Sequence, residues 1–291
     1  MILSNKDHSR ILGQRRFKNN LMTAVIGLLS LIAVIPLFMI FYHIVVNGIS
    51  SVNADFFLKL PAPLGEVNGG MGNCILGSLI LISLASIVAV PVGICGGIYL
   101  SEYSHERTAN FFRWIVDLMM SMPSIVIGLF VYTSIVVPMK AFSAIAGGAA
   151  LALLMLPIVA KTTEEVLKLT PLHVREAGLA LGLSRWRVIL FVVLRGKTSA
   201  VVTGVVLALG RIAGETAPLL VTAFGNRNWP TSLVQPTPSL PVQIYNYAIS
   251  PYQDWHRQAW AGALTLVALI FFINIATRMI FSRDQLGRNT Q

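Results

Sequence analysis

The chain has 291 residues, of which 55% are hydrophobic and 12% are charged, whereas about 25% of the residues of an average soluble domain are charged. Its 22 Lys and Arg against 12 Asp and Glu give a formal net charge of +10. This composition excludes an ordinary soluble domain. On so apolar a chain, a basic balance indicates an anionic membrane surface and not nucleic acid as the partner.

Long apolar runs divide the chain. Five of them are uncharged and at least 20 residues long, and about 20 residues span about 30 Å of hydrocarbon as a helix. A sixth run is equally apolar but contains Arg211 and Glu215. We therefore predict an all-α integral membrane protein with six transmembrane helices. In chain order the runs cover residues 21–42, 67–101, 118–139, 141–160, 198–226 and 258–277.

The Lys and Arg residues outside these runs are distributed unequally. The two chain ends, the connection between runs two and three and the loop between runs four and five hold 17, the remaining connections hold 4, and Arg211 completes the 22. Because cytoplasmic loops carry the excess of Lys and Arg, we predict that both termini are cytoplasmic. The predicted organisation is a tail over 1–20, a membrane domain over 21–281 and a tail over 282–291.

The cytoplasmic loop over 161–197 is the largest predicted feature outside the membrane. It is mixed in charge, and Pro171 and Gly182 bound a predicted short helix over 172–181, because Pro begins and Gly ends helices. An exposed short helix of this kind is typical of a docking element. The alternative is an amphipathic surface turn.

The loop over 225–257, on the opposite side, contains five prolines among aromatic side chains. Aromatic rings of this kind settle at the level of the lipid headgroups. Residues 242–248 are interpreted either as a short helix on the outer surface or as part of an irregular, Pro-rich loop.

A motif in the 161–197 loop resembles a known signature. Glu176, Ala177 and Gly178 are followed four residues later by Gly182, and this spacing is similar to the Glu-Ala-Ala loop of permease subunits of ATP-binding-cassette importers. The sequence departs from that pattern at Gly178, where a second Ala is expected, and at Arg195, where a Pro is expected. The resemblance implies a type I importer permease (MetI-like) fold, in which this loop forms the coupling helix that docks in a cleft of a separate ATPase.

Three further stretches resemble the A-type permeases of phosphate-specific importers, the PstA family: GIYLSEY at 97–103, PSIVIGLFVY at 123–132 and RIAGETAPLL at 211–220. This resemblance implies a bacterial inner-membrane importer of inorganic phosphate. The implied partners are the sister permease PstC, a dimer of the ATPase PstB, the phosphate-binding protein PstS and the regulator PhoU. ATP and Mg would bind to the ATPase, so that no cofactor is expected in this chain.

Arg211 and Glu215 are the candidate substrate-binding residues. Arg211 lies 13 residues after Thr198, about 20 Å into a core about 30 Å thick, where an Arg is costly unless it pairs or faces water. Glu215 follows at i+4 and shares a face with Arg211 on a continuous helix. The guanidinium fork suits a tetrahedral oxyanion, and a carboxylate accepts a proton from phosphate but repels sulfate, which carries none. The alternative is an ion pair that only neutralises two buried charges.

Lys161 is a third candidate, at the cytoplasmic end of the fourth run. The resemblance implies a basic residue there that receives the anion on exit, and the alternative is a Lys that extends to the membrane surface. Asp117 is expected to pair with Arg113, four residues earlier. Pro123 and Pro218 are expected to kink their helices at membrane depth.

Other functions remain open on the sequence. The same fold could carry sulfate or molybdate, and a passive channel or a membrane sensor would need no ATPase. An enzyme is the least supported, because the sequence shows no nucleophile-base pair, and its His and Cys residues have no metal-ligand spacing. We therefore expect a non-catalytic transport subunit.

Overall fold

The computed structural model describes residues 5–63, 69–103 and 105–286, and the side chains of 15–63, 69–103, 105–277 and 279. The start of the second predicted run at residue 67, and the outermost residues of both predicted tails, lie outside these ranges. The described chain contains helices and no strand, which confirms the predicted all-α class. The helices are α1 (Asn5–Gly48), α2 (Ala54–Leu58), α3 (Gly72–Ile98), α4 (Glu106–Ser121), α5 (Ser124–Val131), α6 (Val137–Met139), α7 (Ala144–Lys168), α8 (Leu172–Ala180), α9 (Arg185–Arg187), α10 (Arg195–Ala213), α11 (Ala217–Thr222), α12 (Leu240–Ala248) and α13 (Gln253–Leu286).

The helices are compatible with the six predicted crossings, one of which is interrupted. Within the described ranges five helices are long and apolar enough to cross, and a helix pair bent by 102° makes a sixth crossing if its two members form one span. That pair joins α4 to the segment Ser124–Met139, so the single helix predicted over 118–139 was wrong. The bend lies at Met122, whose ψ of 136° is extended, because the ring of Pro123 disfavours a helical conformation in the preceding residue.

The fifth predicted run is also two helices and not one. Helix α10 ends at Ala213 and α11 begins at Ala217. Pro218 explains the position of this break, because it has no N–H and its ring would clash with the carbonyl of Gly214, four residues earlier. The expected kinks at both prolines are therefore present as complete interruptions.

Helices α3 and α7 form the centre of the bundle and approach each other closely. A Cβ atom placed on Gly97 would lie 2.6 Å from the carbonyl oxygen of Ala160 and 2.6 Å from Cβ of Thr163. A Cβ atom on the neighbouring Gly96 would meet only Cβ of Ala160, at 3.9 Å. The absence of a side chain at Gly97 thus permits the contact of the two backbones.

Substitution of Gly97 by Val is expected to destabilise the bundle, whereas Gly96→Val should not. Overpacking a close helix contact costs about 1–3 kcal/mol, and the Gly97 neighbour is a backbone oxygen that cannot move aside. Thermal unfolding of the purified protein in detergent measures the difference. An equal loss of stability in both variants would show that the close contact at Gly97 is not responsible.

The two ends of α3 mark the two ends of the molecule. At its start, the amide of buried Asn73 donates to the carbonyls of Asn226, Arg227 and Asn228, at 3.1–3.3 Å. Its 27 residues extend about 40 Å at 1.5 Å per residue. Beyond its other end, Glu102 contacts α8. The loop that contains 226–228 and the 161–197 loop, which we call the coupling loop, therefore lie at opposite ends of the bundle, as the charge distribution predicts.

The short helix expected in the 225–257 loop forms as α12. One side of it is buried, at Leu240 and Tyr247, while Tyr245, Asn246 and Ala248 are exposed, so the helix lies on the surface with one face packed against the bundle. The ring of Tyr247 stacks on Trp255 at 4.7 Å between centroids, and this burial raises the pKa of the Tyr247 hydroxyl. Some aromatic residues of this loop therefore pack inside the protein and not at the level of the lipid headgroups.

Candidate functional site

Arg211 lies in the last turn of α10, halfway along the length of the bundle. Two contacts with the antiparallel helix α7 establish its depth. Gly204 of α10 lies against the side chain of Thr162, and Gly147 of α7 lies against the side chain of Leu219 in α11. Position 211 lies about midway between 204 and 219, and is therefore level with the middle of α7. This geometry agrees with the depth that was predicted from counting residues.

Glu215 lies beyond the end of α10, in the interruption before α11. The amide of Gly214 donates to the carbonyl of Arg211 at 3.3 Å, and that of Glu215 to the carbonyl of Ile212 at 3.2 Å. These are i to i+3 bonds, which tighten and end the helix. The prediction that Glu215 shares a helix face with Arg211 was therefore wrong. Pro218 interrupts the regular hydrogen-bond pattern of the helix, and α10 ends at Ala213, before it reaches Glu215.

Neither charge has a partner among the described side chains. Arg211 is exposed on the surface of the chain and Glu215 is partly buried, and the ion pairs of the described residues do not include either of them. The mutually neutralising ion pair that was the alternative interpretation is absent. A guanidinium and a carboxylate without internal partners, at mid-depth, can bind an oxyanion that carries a hydroxyl group.

Lys161 has a partner that the sequence did not indicate. Its Nζ lies 2.5 Å from Oδ1 of Asp117 on α4, while Nε of Arg113 lies 2.6 Å from Oε1 of Glu164 on α7. The expected pair between Arg113 and Asp117 was therefore wrong. The side chains of Arg113 and Asp117 both face α7, and each pairs with a residue of α7 and not with a residue of its own helix.

These contacts form a charged cluster at the coupling-loop end of the bundle. It surrounds a cavity of about 140 Å³, and Lys168 also contacts Glu164 at 2.6 Å. Because Asp117 neutralises Lys161 here, Lys161 is available to an anion only if that ion pair opens. It remains a predicted substrate contact.

The coupling loop has the predicted helix. Helix α8 is Leu172–Ala180, and Gly182 adopts a φ of +79°, as expected of a glycine that ends a helix. Glu176 and Ala177 are exposed, whereas Gly178 is buried. A Cβ atom on Gly178 would lie 2.9 Å from Cγ2 of Val188. This contact explains why the chain has Gly where the family motif has Ala.

The coupling loop exposes large apolar side chains among its charged ones. Five large apolar side chains of this loop are between 48% and 83% exposed, and exposed apolar side chains are candidates for contact with another protein. We call this group the apolar docking face; it consists of Leu169, Leu172, Leu179, Leu181 and Trp186.

The opposite end of the molecule contains a cavity of about 610 Å³. Its wall includes the side chains of Arg227, Gln243 and Asn246, together with Trp255. No carboxylate lines it within the described residues. An opening with one cation and several amide groups is compatible with the passage of an anion.

Comparisons with known proteins agree with this architecture. Residues 93–283 match the family model of the binding-protein-dependent transport system inner membrane component. The chain is 43% identical to the phosphate transport system permease protein PstA of Yersinia pestis, over 93% of this chain and 92% of that protein. It is 40% identical to the protein of the same name from Haemophilus influenzae, over 93% and 96%.

The fold is similar to that of a solved bacterial ABC transporter involved in the import of the acidic polysaccharide alginate. The two share a TM-score of 0.65 and 12% identity, over 93% of this chain and 98% of the other. The chain therefore belongs to the family of binding-protein-dependent transport system inner membrane components, and within it to the PstA-type permeases, which are multi-pass membrane subunits of ABC importers.

Proposed function

We propose that this chain forms half of the pathway by which an ATP-driven importer carries inorganic phosphate into the bacterial cytoplasm. The observation that carries the proposal is the pair Arg211 and Glu215, placed at an interrupted helix in the middle of the bundle without internal partners. The names of the similar proteins support phosphate as the substrate.

The chemistry of the pair favours phosphate over other oxyanions. Phosphate near neutral pH carries at least one hydroxyl, which donates to the Glu215 carboxylate while its oxygens accept from Arg211. Sulfate has no proton to donate, so that Glu215 repels it. Selectivity by this means needs no tight binding, and the anion can leave again.

The two ends of the molecule suit two kinds of partner. The apolar docking face would enter a cleft of the ATPase PstB, which binds ATP and Mg, with PhoU acting from the same side. The end with the 610 Å³ cavity would face PstS outside the cytoplasmic membrane. The sister permease PstC would cover Arg211, which is exposed in this chain, and both termini would be cytoplasmic.

Reconstitution with the co-expressed partner subunits tests the function. We expect ATP-dependent uptake of radioactive phosphate into proteoliposomes, with ATP hydrolysis stimulated by phosphate and not by sulfate or molybdate. Stimulation by sulfate or molybdate alone would assign the permease to another oxyanion. Phosphate uptake without any co-purified ATPase would indicate a passive channel.

Single cysteines test the proposed orientation. In a chain with Cys74 and Cys95 replaced, Asn228→Cys should react with a membrane-impermeant maleimide added to intact spheroplasts, and Ser184→Cys should not. Both positions are exposed, at opposite ends of the molecule. Labelling of position 184 from outside would reverse the topology and exclude a cytoplasmic coupling loop.

A further inference from the structure

A partly buried ion pair joins the coupling loop to the end of α3. Nε of Arg175, on α8, lies 3.2 and 3.0 Å from the two carboxylate oxygens of Glu102, and its Nη2 lies 2.6 Å from Oε1. The same guanidinium donates to the carbonyls of Leu167, at 2.9 Å, and of Thr170. The side chain of Arg175 is 19% exposed and that of Glu102 is 6% exposed. Arg175 thus connects α8 with the ends of both α3 and α7.

Glu102 lies in a π-helical turn, Tyr99–Tyr103, which follows α3 directly. Two other arginines also bind this turn. Arg185, beyond Gly182, donates to the backbone carbonyl of Glu102 and lies 5.2 Å from the centre of the Tyr103 ring. Arg113 of α4 donates to the carbonyl of Leu100 at 3.3 Å. Isolated π-helical turns are frequent at functional sites, and this one collects contacts from three separate segments.

Stability alone does not account for such a pair. The cost of removing two charges from water offsets most of their attraction, and apolar residues of similar size stabilise a protein as well. A multidentate pair differs from an apolar contact because it holds two elements in one relative orientation. Here the elements are the proposed docking helix α8 and α3, which is in backbone contact with α7 at Gly97 and reaches the opposite end of the bundle at Asn73.

We propose that Glu102 is a positioning residue that transmits movement of the docked coupling loop to α3. A displacement of α8 would pull or push α3, because the guanidinium of Arg175 binds the carboxylate of Glu102. The other hydrogen bonds of that guanidinium hold it at the end of α7. The inference rests on the proposed function only in requiring that the loop docks on an ATPase.

Three variants of the intact complex test this role: Glu102→Gln, Arg175→Gln and the double variant. The double variant leaves no unpaired buried charge, so it remains informative if a single variant folds poorly. Lys59→Gln is the matched control, because its 2.7 Å pair with Asp55, four residues earlier, is local and cannot link two elements. Phosphate taken up per ATP hydrolysed, in proteoliposomes, is the measured ratio.

The ratio should fall at least about fivefold in all three variants, within the range known for mutations that alter coupling. The ATPase should still co-purify and hydrolyse ATP. The double variant should be no worse than either single variant, because the pair acts as one unit. The control should match the native complex. An unchanged ratio in the Glu102→Gln and double variants, or loss of the ATPase from the double variant, would overturn the inference.

A second readout does not depend on the substrate. Cys95 on α3 is exposed and Cys74 is buried, so that labelling of Cys95 by a membrane-permeant maleimide reports on α3. ATP should change its labelling rate in the native complex and not in Glu102→Gln. An equal response to ATP in both would refute transmission through Glu102. A native complex whose Cys95 responds to ATP but which imports no phosphate would refute the proposed substrate and not this inference.

Discussion

Replacement of Arg211 by Gln should abolish phosphate uptake while the complex still assembles. Loss of one partner from a desolvated, hydrogen-bonded charge pair costs about 2–5 kcal/mol, which corresponds to at least about a 30-fold loss. Assembly should persist, because the Arg211 side chain is exposed and makes no described hydrogen bond or ion pair within the chain. Initial rates of radioactive phosphate uptake measure the effect.

Two controls make this result specific to the site. Arg211→Lys retains the charge but not the planar fork, and should give an intermediate rate. Arg257→Gln removes an Arg whose side chain is 71% exposed, near the start of α13, and should leave uptake unchanged. Normal uptake by an assembled Arg211→Gln complex would exclude Arg211 from the phosphate site.

Glu215→Gln tests the other half of the same site. An amide can donate to sulfate, which the carboxylate repels, so this variant should discriminate less between the two anions or should lose turnover. Competition of unlabelled sulfate against labelled phosphate is the measurement. Full activity with unchanged selectivity would show that the carboxylate has no role in recognition.

The second large effect is expected from Gly182→Val combined with Glu176→Lys. Gly182 has a φ of +79° and open space around it, so the cost of Val is backbone strain of about 1–2 kcal/mol. This strain should displace the end of α8, and the second change reverses an exposed charge on the proposed docking helix. We expect the ATPase to be lost from the purified complex, and hydrolysis to lose its response to phosphate.

Gly196→Val is the matched control for this variant. Gly196 lies in the first turn of α10, also has open space around it, and does not have a positive φ. It should leave both the co-purification of the ATPase and its hydrolysis unchanged. If both also survive in the Gly182→Val, Glu176→Lys double variant, the coupling loop is not the docking element.

The features that the sequence predicted correctly depend on short stretches of chain. The length of an apolar run determines whether it can cross a bilayer. Pro171 and Gly182 determine where α8 begins and ends, since one lacks a backbone N–H and the other tolerates a positive φ. Counting residues along one helix is enough to place Arg211 at mid-depth. None of these conclusions requires knowledge of which helices are neighbours.

The interruption before α11 could be predicted only in part from the sequence. Pro218 indicates a kink, but not that Glu215 leaves the helix. The loss of one hydrogen bond could leave a bent helix or two separate ones, and the tertiary contacts of α11 with α5 and α7 select the second. The sequence therefore identified both charges of the candidate site, but not their relative arrangement.

Only the tertiary structure decided the partners of the remaining charges. Arg113 and Asp117 are suitably spaced to pair with each other, yet each binds a residue of α7. Glu102 and Arg175 are 73 positions apart, and no periodicity relates them. The physical reason is that local spacing determines only which face a side chain occupies. Its partner depends on which other face the folded bundle brings against it, at which height and at what distance.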